Sequence, residues 1–253
     1  MSEAVRVRLF LAAAVGLAVV LAVGLGGLTA FGQRVAAYGE HFARVAVYQR
    51  HTTDIVSAIT FDYRGIDTLF EEFMLFAAVT GISVLLRPLA DERRNAPEDQ
   101  APDRHIPPPS PTVGLLGVIL CTVLVVFGVE TITHGQVSPG GGFQGGVIAA
   151  SAIFVLYLAT DYRTIDRYKP GPLLEAADGA GAWGYAAVGL AGLATGGAFL
   201  LNVIPLGTPG MLWSGGTVFV INLTAGLEVA GAFVLLVSEF LDQMEVVRGS
   251  NER

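Results

Sequence analysis

VGLLGVILCTVLVVFGVETIT, residues 113–133, holds a single charged side chain, Glu130. A hydrocarbon layer about 30 Å thick is crossed by about 20 residues of α-helix, so this stretch has the length and the polarity of one membrane span. Comparable apolar blocks lie on both sides of it, at 143–160, 183–203 and 215–238 toward the C-terminus and at 66–86 and 9–31 toward the N-terminus. With 53% hydrophobic and only 15% charged residues, and a mean hydropathy of +0.59, the chain is too apolar for a soluble domain of its length. The reading is an all-α integral membrane protein with about six transmembrane helices.

Arg6 and Arg8 precede an apolar run from Leu9 to Ala30. That run exceeds the roughly 7–15 residues of a signal-peptide core, so a retained first helix is expected. The one cysteine, Cys121, lies inside an apolar run and has no partner for an intrachain disulfide; it reads as a small packing residue.

Between the second and third blocks, Pro88 to Thr112 is polar, with Asp91, Glu92, Arg93 and Arg94, and ends in Pro107-Pro108-Pro109-Ser110-Pro111. This is a linker stiffened by extended polyproline geometry. It divides the chain into a two-helix module (1–87), the linker (88–112), a four-helix module (113–241) and a tail (242–253). Arg93, Arg94 and Arg104 in the linker, and Arg163, Arg167 and Lys169 after the fourth block, contrast with loops 134–142 and 204–214, which hold no Lys or Arg. By the positive-inside rule both termini are cytoplasmic in a multi-pass protein of the cell inner membrane. Gly32 to Gly65 conflicts with this, being external yet containing Arg34, Arg44, Arg50 and Arg64. Either neighbours such as Glu40, Asp54 and Asp62 neutralise them or a partner subunit covers them.

The densest signal is Ser138-Pro139-Gly140-Gly141-Gly142-Phe143-Gln144-Gly145-Gly146, at the junction of the third and fourth spans. Successive glycines permit positive φ and close backbone approach, and non-helical backbone at membrane depth must be buried in protein or line a wet cavity. No lysine follows the glycines, which excludes a phosphate-binding loop. Two readings stand: a tight turn against a partner subunit, or a re-entrant lining of an ion path. Gly189, Gly192, Gly196 and Gly197 read as tight helix packing.

Carboxylates in the spans carry the chemistry, because a charge in lipid costs at least a few kcal/mol and marks a pathway or a buried pair. Asp67, Glu71 and Glu72 open the second span. Asp67 and Glu71 share a helix face, with Asp67 interfacial, while Glu72 points about 100° away. Glu228 lies near the middle of the last span, after Asn222 and Gly226. For these acids, proton relay and structural pairing both remain open. Glu130 and His134 are four residues apart near the end of the third span, the spacing of an interfacial pair whose histidine titrates in the physiological range. Asp161 and Glu239 sit at span ends and need no role. Cysteine clusters and flavin or haem motifs are absent from the sequence, and no metal site or cofactor is expected. Ser138 beside His134 is weak evidence for a nucleophilic enzyme, and no catalytic residue is assigned.

Gly128 to Ile153, centred on His134-Gly135 and Ser138 to Gly146, resembles the motif of the B subunit of Mrp-type Na⁺/H⁺ antiporters, the MnhB-like domain. The resemblance continues through Pro205-Leu206-Gly207-Thr208-Pro209-Gly210 and Asn222 to Glu228, covering roughly residues 113–240. Phe61-Asp62-Tyr63-Arg64-Gly65-Ile66-Asp67-Thr68-Leu69-Phe70-Glu71 is similar to the MbhE-type segment found at the C-terminal end of the antiporter's A subunit and in membrane-bound hydrogenases. That likeness carries an acidic role onto Glu71, gives none to Glu72, and departs at Phe70, where the pattern has glycine. It implies a subunit that moves H⁺ and Na⁺ only together with large A- and D-like and small C-, E-, F- and G-like membrane subunits, in the lipid bilayer and without nucleic acid. An equivalent subunit of a hydrogenase or another complex-I-related pump, and a purely structural assembly subunit, are the alternatives.

Overall fold

The structure is a computed structural model that describes residues 3–28, 37–86, 110–160 and 171–249. The described residues are helical: α1 (Glu3–Gly26), α2 (Ala37–Arg50), the short α3 (Ile55–Ala58) continued by a π-helical turn (Ile59–Tyr63), α4 (Gly65–Leu86), α5 (Pro111–Thr133), α6 (Gly142–Ala159), α7 (Gly171–Gly196) and α8 (Thr217–Gly249). Residues 1–41 and 42–253 form two compact units. Within the second, α8 is central and packs against α4, α6 and α7, while α5 packs against α6. The linker 88–112, which falls largely outside the described residues, therefore joins helices of one packing unit.

Among the described residues, five helices are long and apolar enough to cross a membrane: Val7–Gly26, Gly65–Leu86, Pro111–Thr133, Gly142–Ala159 and Thr217–Phe240. The block expected at 183–203 is displaced, since α7 begins at Gly171 and stops at Gly196. Its first turns hold Glu175 and Asp178, which removed them from the apolar block, and it stops where Gly197 (φ 77°) and Leu200 (φ 58°) turn the chain back. The tail expected from residue 242 is instead a continuation of α8 to Gly249.

Local sequence explains the helix starts. Ser110 caps α5, its hydroxyl accepting from the Val113 amide, with Pro111 in the first turn, where its missing N–H costs nothing. Asp54 caps α3 by accepting from the amides of Val56 and Ser57; burial lifts its carboxyl above the usual range, although those two amides favour the charged form. The α6 start is unusual, with Gly140 at φ 145° and Gly141 at φ 123°, conformations only glycine adopts freely.

Close approach of backbones builds the bundle. A Cβ on Gly128 of α5 would stand 2.9 Å from the Gly145 carbonyl oxygen of α6, and one on Gly146 would stand 2.9 Å from the Gly226 carbonyl oxygen of α8. At the end of the bundle where loops 134–141 and 197–216 lie, side chains tie the segments together. The side chain of buried Gln136 donates to the carbonyls of Thr133 (3.0 Å) and Leu212 (2.6 Å), and its main-chain carbonyl accepts from the amides of Thr53 and Asp54. Asn202 donates to Asp62 (3.0 Å) and to the Gly215 carbonyl (2.9 Å).

The arginine conflict in 32–65 resolves in part by neutralisation. Arg50 Nε lies 2.5 Å from Asp62, and Arg64 pairs with Asp67. Asp54 caps a helix and joins neither pair; Arg34 lies outside the described residues.

Asn222 is wholly buried; its Oδ1 accepts from the Gly142 amide (2.8 Å) and its Nδ2 donates to the Val218 carbonyl (3.0 Å). Asn222→Ala strands these groups and is expected to destabilise the folded chain by about 1–3 kcal/mol, measured as a lower thermal unfolding midpoint in mild detergent.

Candidate functional site

Of the three acids opening α4, the helix turns only Glu72 inward. Buried positions along α4 are Gly65, Leu69, Glu72 and Val79, a single stripe facing α7 and α8. On α8, Glu228 is likewise inaccessible, on the same inward side as Ala225, Val229 and Ala232. The two carboxyls face each other within electrostatic reach without closing a hydrogen bond of ordinary geometry. All four oxygens are buried and lack a hydrogen-bond partner among the described residues.

A third acid joins them. Asp178 of α7 is 4% exposed, with one carboxyl oxygen unpartnered, and it lies within electrostatic reach of both glutamates. The packing of α7 on α8 fixes its level. A Cβ on Gly181 would stand 2.5 Å from Glu228 Cβ, and one on Gly231 would stand 2.8 Å from the Asp178 amide nitrogen. Asp178 is thus one turn beyond Glu228, toward the end of the bundle from which α7 starts. The three acids do not converge closely enough to hold a metal ion among the described residues.

The other expected residues are placed elsewhere. Glu71 is exposed and lines a cavity of about 150 Å³ with Ser57, Thr60, Thr68, Gly140 and Gln144, bringing the acidic helix start and the glycine loop together. Asp67 is exposed in its pair with Arg64. Glu130 and His134 are about half exposed, with Nδ1 3.5 Å from the carboxylate and 3.1 Å from the Glu130 carbonyl, an arrangement in which Nδ1 carries the proton. Ser138 Oγ donates to the His134 carbonyl, not to its ring (3.4 Å). In the loop, Gly141, Gly142, Gly145 and Gly146 are buried against this chain's own α5 and α8, whereas Pro139 and Gln144 are exposed and Phe143 is half-buried.

Asp178, Tyr185 and Gln136 were missed by sequence reasoning. A signal existed for the first two: Asp178, Gly181, Ala182, Tyr185, Gly189 and Gly192 are buried at helical spacing, a small-residue stripe that begins before the apolar block. Gln136 offered none, being one polar residue in a polar loop.

A multi-pass helical bundle that buries acids between its helices, with no counter-charge among the described residues, is the architecture of an integral membrane protein. Residues 112–235 match the domain related to the MnhB subunit of Na⁺/H⁺ antiporter, and the chain belongs to this family. It is 30% identical over 202 residues to an uncharacterized protein of Methanocaldococcus jannaschii, covering 72% of this chain and 76% of that one. It is 36% identical over 52 residues to the B subunit of the Na⁺/H⁺ antiporter of Alkalihalophilus pseudofirmus, 21% of this chain and 36% of that relative. Among solved structures, a chain of the membrane-bound sulfane sulfur reductase, an archaeal respiratory membrane complex, superposes with a TM-score of 0.67 at 28% identity, covering 94% of this chain and 98% of that one. A chain of the Mrp complex from Dietzia sp. DQ12-45-1b shares the fold, with a TM-score of 0.69 at 24% identity over 94% of this chain and 26% of that one.

Facing acids in one desolvated site are energetically coupled. Glu72→Gln and Glu228→Gln, combined in a double-mutant cycle of unfolding stability in detergent, are expected to deviate from additivity by about 0.5–3 kcal/mol; strict additivity would show that the side chains do not meet.

Proposed function

We propose that this chain is a membrane subunit of a multi-subunit monovalent cation (Na⁺)/proton antiporter, contributing to proton and sodium translocation and to assembly with larger antiporter-like subunits. Membership of the MnhB-related family supports the setting. The observation that carries the reading is the Glu72–Glu228 pair, two acids inside the bundle with neither cation nor hydrogen-bond donor among the described residues. Two such carboxyls cannot both stay ionised side by side in apolar surroundings, so the pair keeps a proton between them. A second negative charge becomes tolerable only when a cation arrives or a neighbour supplies one. That is the property a proton-for-cation exchanger needs: occupancy by H⁺ competes with a compensating positive charge.

Glu71 has a different part in this reading. Facing the cavity beside Gly140 and Gln144, it stands where a neighbouring subunit meets the glycine loop through the exposed Pro139 and Gln144. Residues 1–87 act as the MbhE-like module of the same subunit, in the cell inner membrane with both termini cytoplasmic. The partners are the large A- and D-like and the small C-, E-, F- and G-like subunits of the complex.

A second reading, an equivalent subunit of a related respiratory membrane complex, is favoured by one observation: the chain spans 98% of a subunit of the archaeal sulfane sulfur reductase. The proteins that co-purify in mild detergent decide between the two, a redox arm pointing to the second.

In vesicles containing the assembled complex, Glu72→Gln and Glu228→Gln are each expected to slow Na⁺/H⁺ exchange by about tenfold or more, and Glu71→Gln to do so less. Wild-type exchange rates in both Glu72 and Glu228 variants, with the complex intact, would overturn the reading.

A further inference from the structure

The Glu72–Glu228 pair is sealed within the bundle, so a function that moves protons needs a way in and a way out. On the loop side of the pair lies a cavity of about 430 Å³ whose lining includes Arg50, Asp62, Tyr63 and Asn202. Its polar wall is fixed: Asp62 is held by Arg50 at 2.5 Å and by Asn202 at 3.0 Å, and the Arg50 guanidinium lies 5.0 Å from the centre of the Tyr63 ring. A cavity with these walls suits water.

The cavity ends at Gly65 and Leu200. Leu200 Cδ1 comes within 3.3 Å of where a Gly65 Cβ would stand. The Gly65 carbonyl accepts a hydrogen bond from the Tyr185 hydroxyl at 2.8 Å. Tyr185 is wholly buried with Leu69, Phe61 and Ile221, and Leu200 packs on the same cluster. Down α4, Gly65, Leu69 and Glu72 follow one another on the buried stripe, so two turns of helix separate the cavity floor from the acid pair. Leu200 holds its place in the left-handed region, φ 58°, a conformation that a branched side chain adopts only when its surroundings enforce it.

On the far side of the pair stands Asp178, one turn beyond Glu228, buried and with an unpartnered oxygen. It caps no described helix and joins no ion pair among the described residues. It lies within electrostatic reach of both glutamates, which makes it the next acid on that side for a proton leaving the pair.

We propose that a proton route runs within this one chain, entering at the Asp62–Asn202 cavity, passing a closed gate of Tyr185 and Leu200 to the Glu72–Glu228 pair, and leaving through Asp178. The proposal rests on the pair acting as a proton site, as argued above. Opening requires the Tyr185 hydroxyl to leave the Gly65 carbonyl and Leu200 to relax out of its left-handed turn, which joins cavity water to Glu72. Entry transfers a hydrated proton from the cavity to an ionised carboxyl of the pair, neutralising it; the step to Asp178 moves one proton from a protonated carboxyl to an ionised one, so the donor gains the negative charge that the acceptor loses.

The test uses the complete complex in vesicles. In a Cys121→Ala background, a membrane-impermeant thiol reagent added at the loop side is expected to label Ala198→Cys, in the cavity lining, and not Leu69→Cys, behind the gate. Adding Leu200→Ala should expose Leu69→Cys to the reagent; labelling of Leu69→Cys with Leu200 intact, or none after its removal, overturns the gate. For the exit, Asp178→Asn is expected to slow exchange about tenfold, with Asp178→Glu recovering most of it. A carbodiimide specific for protonated carboxyls should also modify Asp178 in the unaltered complex. Full exchange in Asp178→Asn, no recovery in Asp178→Glu, or no adduct on Asp178 overturns the exit. Glu72→Gln and Glu228→Gln run beside them separate the two levels: normal exchange in those variants removes the pair, whereas lost exchange there with a failed labelling result removes only the route.

Discussion

The amide of Gly142 is buried with no preceding helical turn to serve it, and the bundle is arranged around satisfying it. Backbone donors inside a membrane must find partners in the protein, and Asn222 of α8 provides this one, its Oδ1 2.8 Å away. That bond fixes where α6 begins along α8. Once the start is fixed, Gly146 and Gly226 meet one turn further on and Gly145 meets Gly128 of α5, so three helices are set in register by one polar contact and a few missing side chains. The amide works because Asn222 is itself held at its other end, donating to Val218.

Close packing also explains why the acids find no counter-charge among the described residues. Where Gly181 lies against Glu228 and Gly231 against Asp178, helices approach without room for a lysine or arginine stem between them. Small residues lower the cost of helix association while removing the space in which a counter-charge would sit. The electrostatic character of the interior therefore follows from its steric character. The same glycine-rich sequence that lets α7 lie on α8 leaves protons as the smallest compensating charges available.

Much of this was legible in the sequence, for physical reasons that differ by residue. Spans at 66–86, 113–133 and 143–160 lie within two residues of α4, α5 and α6, because lipid imposes a length and a polarity that composition reports directly. Glu228 was singled out because a carboxylate in mid-span has few bland explanations. Glu72 was found as a position, yet the family likeness favoured Glu71, and only the packing of α4 on α7 and α8 shows which of two adjacent acids turns inward. Asp178 escaped because an apolar-block criterion discards a turn of helix that is small and acidic, although protein rather than lipid surrounds it. The partners of Gln136 and Asn202 lie up to 140 residues away in sequence, and no local pattern encodes them.

The π-helical turn at Ile59–Tyr63 has a consequence for how this chain can change over time. A π turn accommodates one residue more than the α-helical ladder would. A deletion of a single codon there would let the segment close into ordinary α-helix with the flanking turns facing nearly as before, because five π-helical residues turn through about the same angle as four α-helical ones. What the segment would lose is side-chain contacts, since Phe61 lies in the core and Asp62 is held by Arg50 and Asn202. Composition at these positions therefore constrains the segment more than its count does.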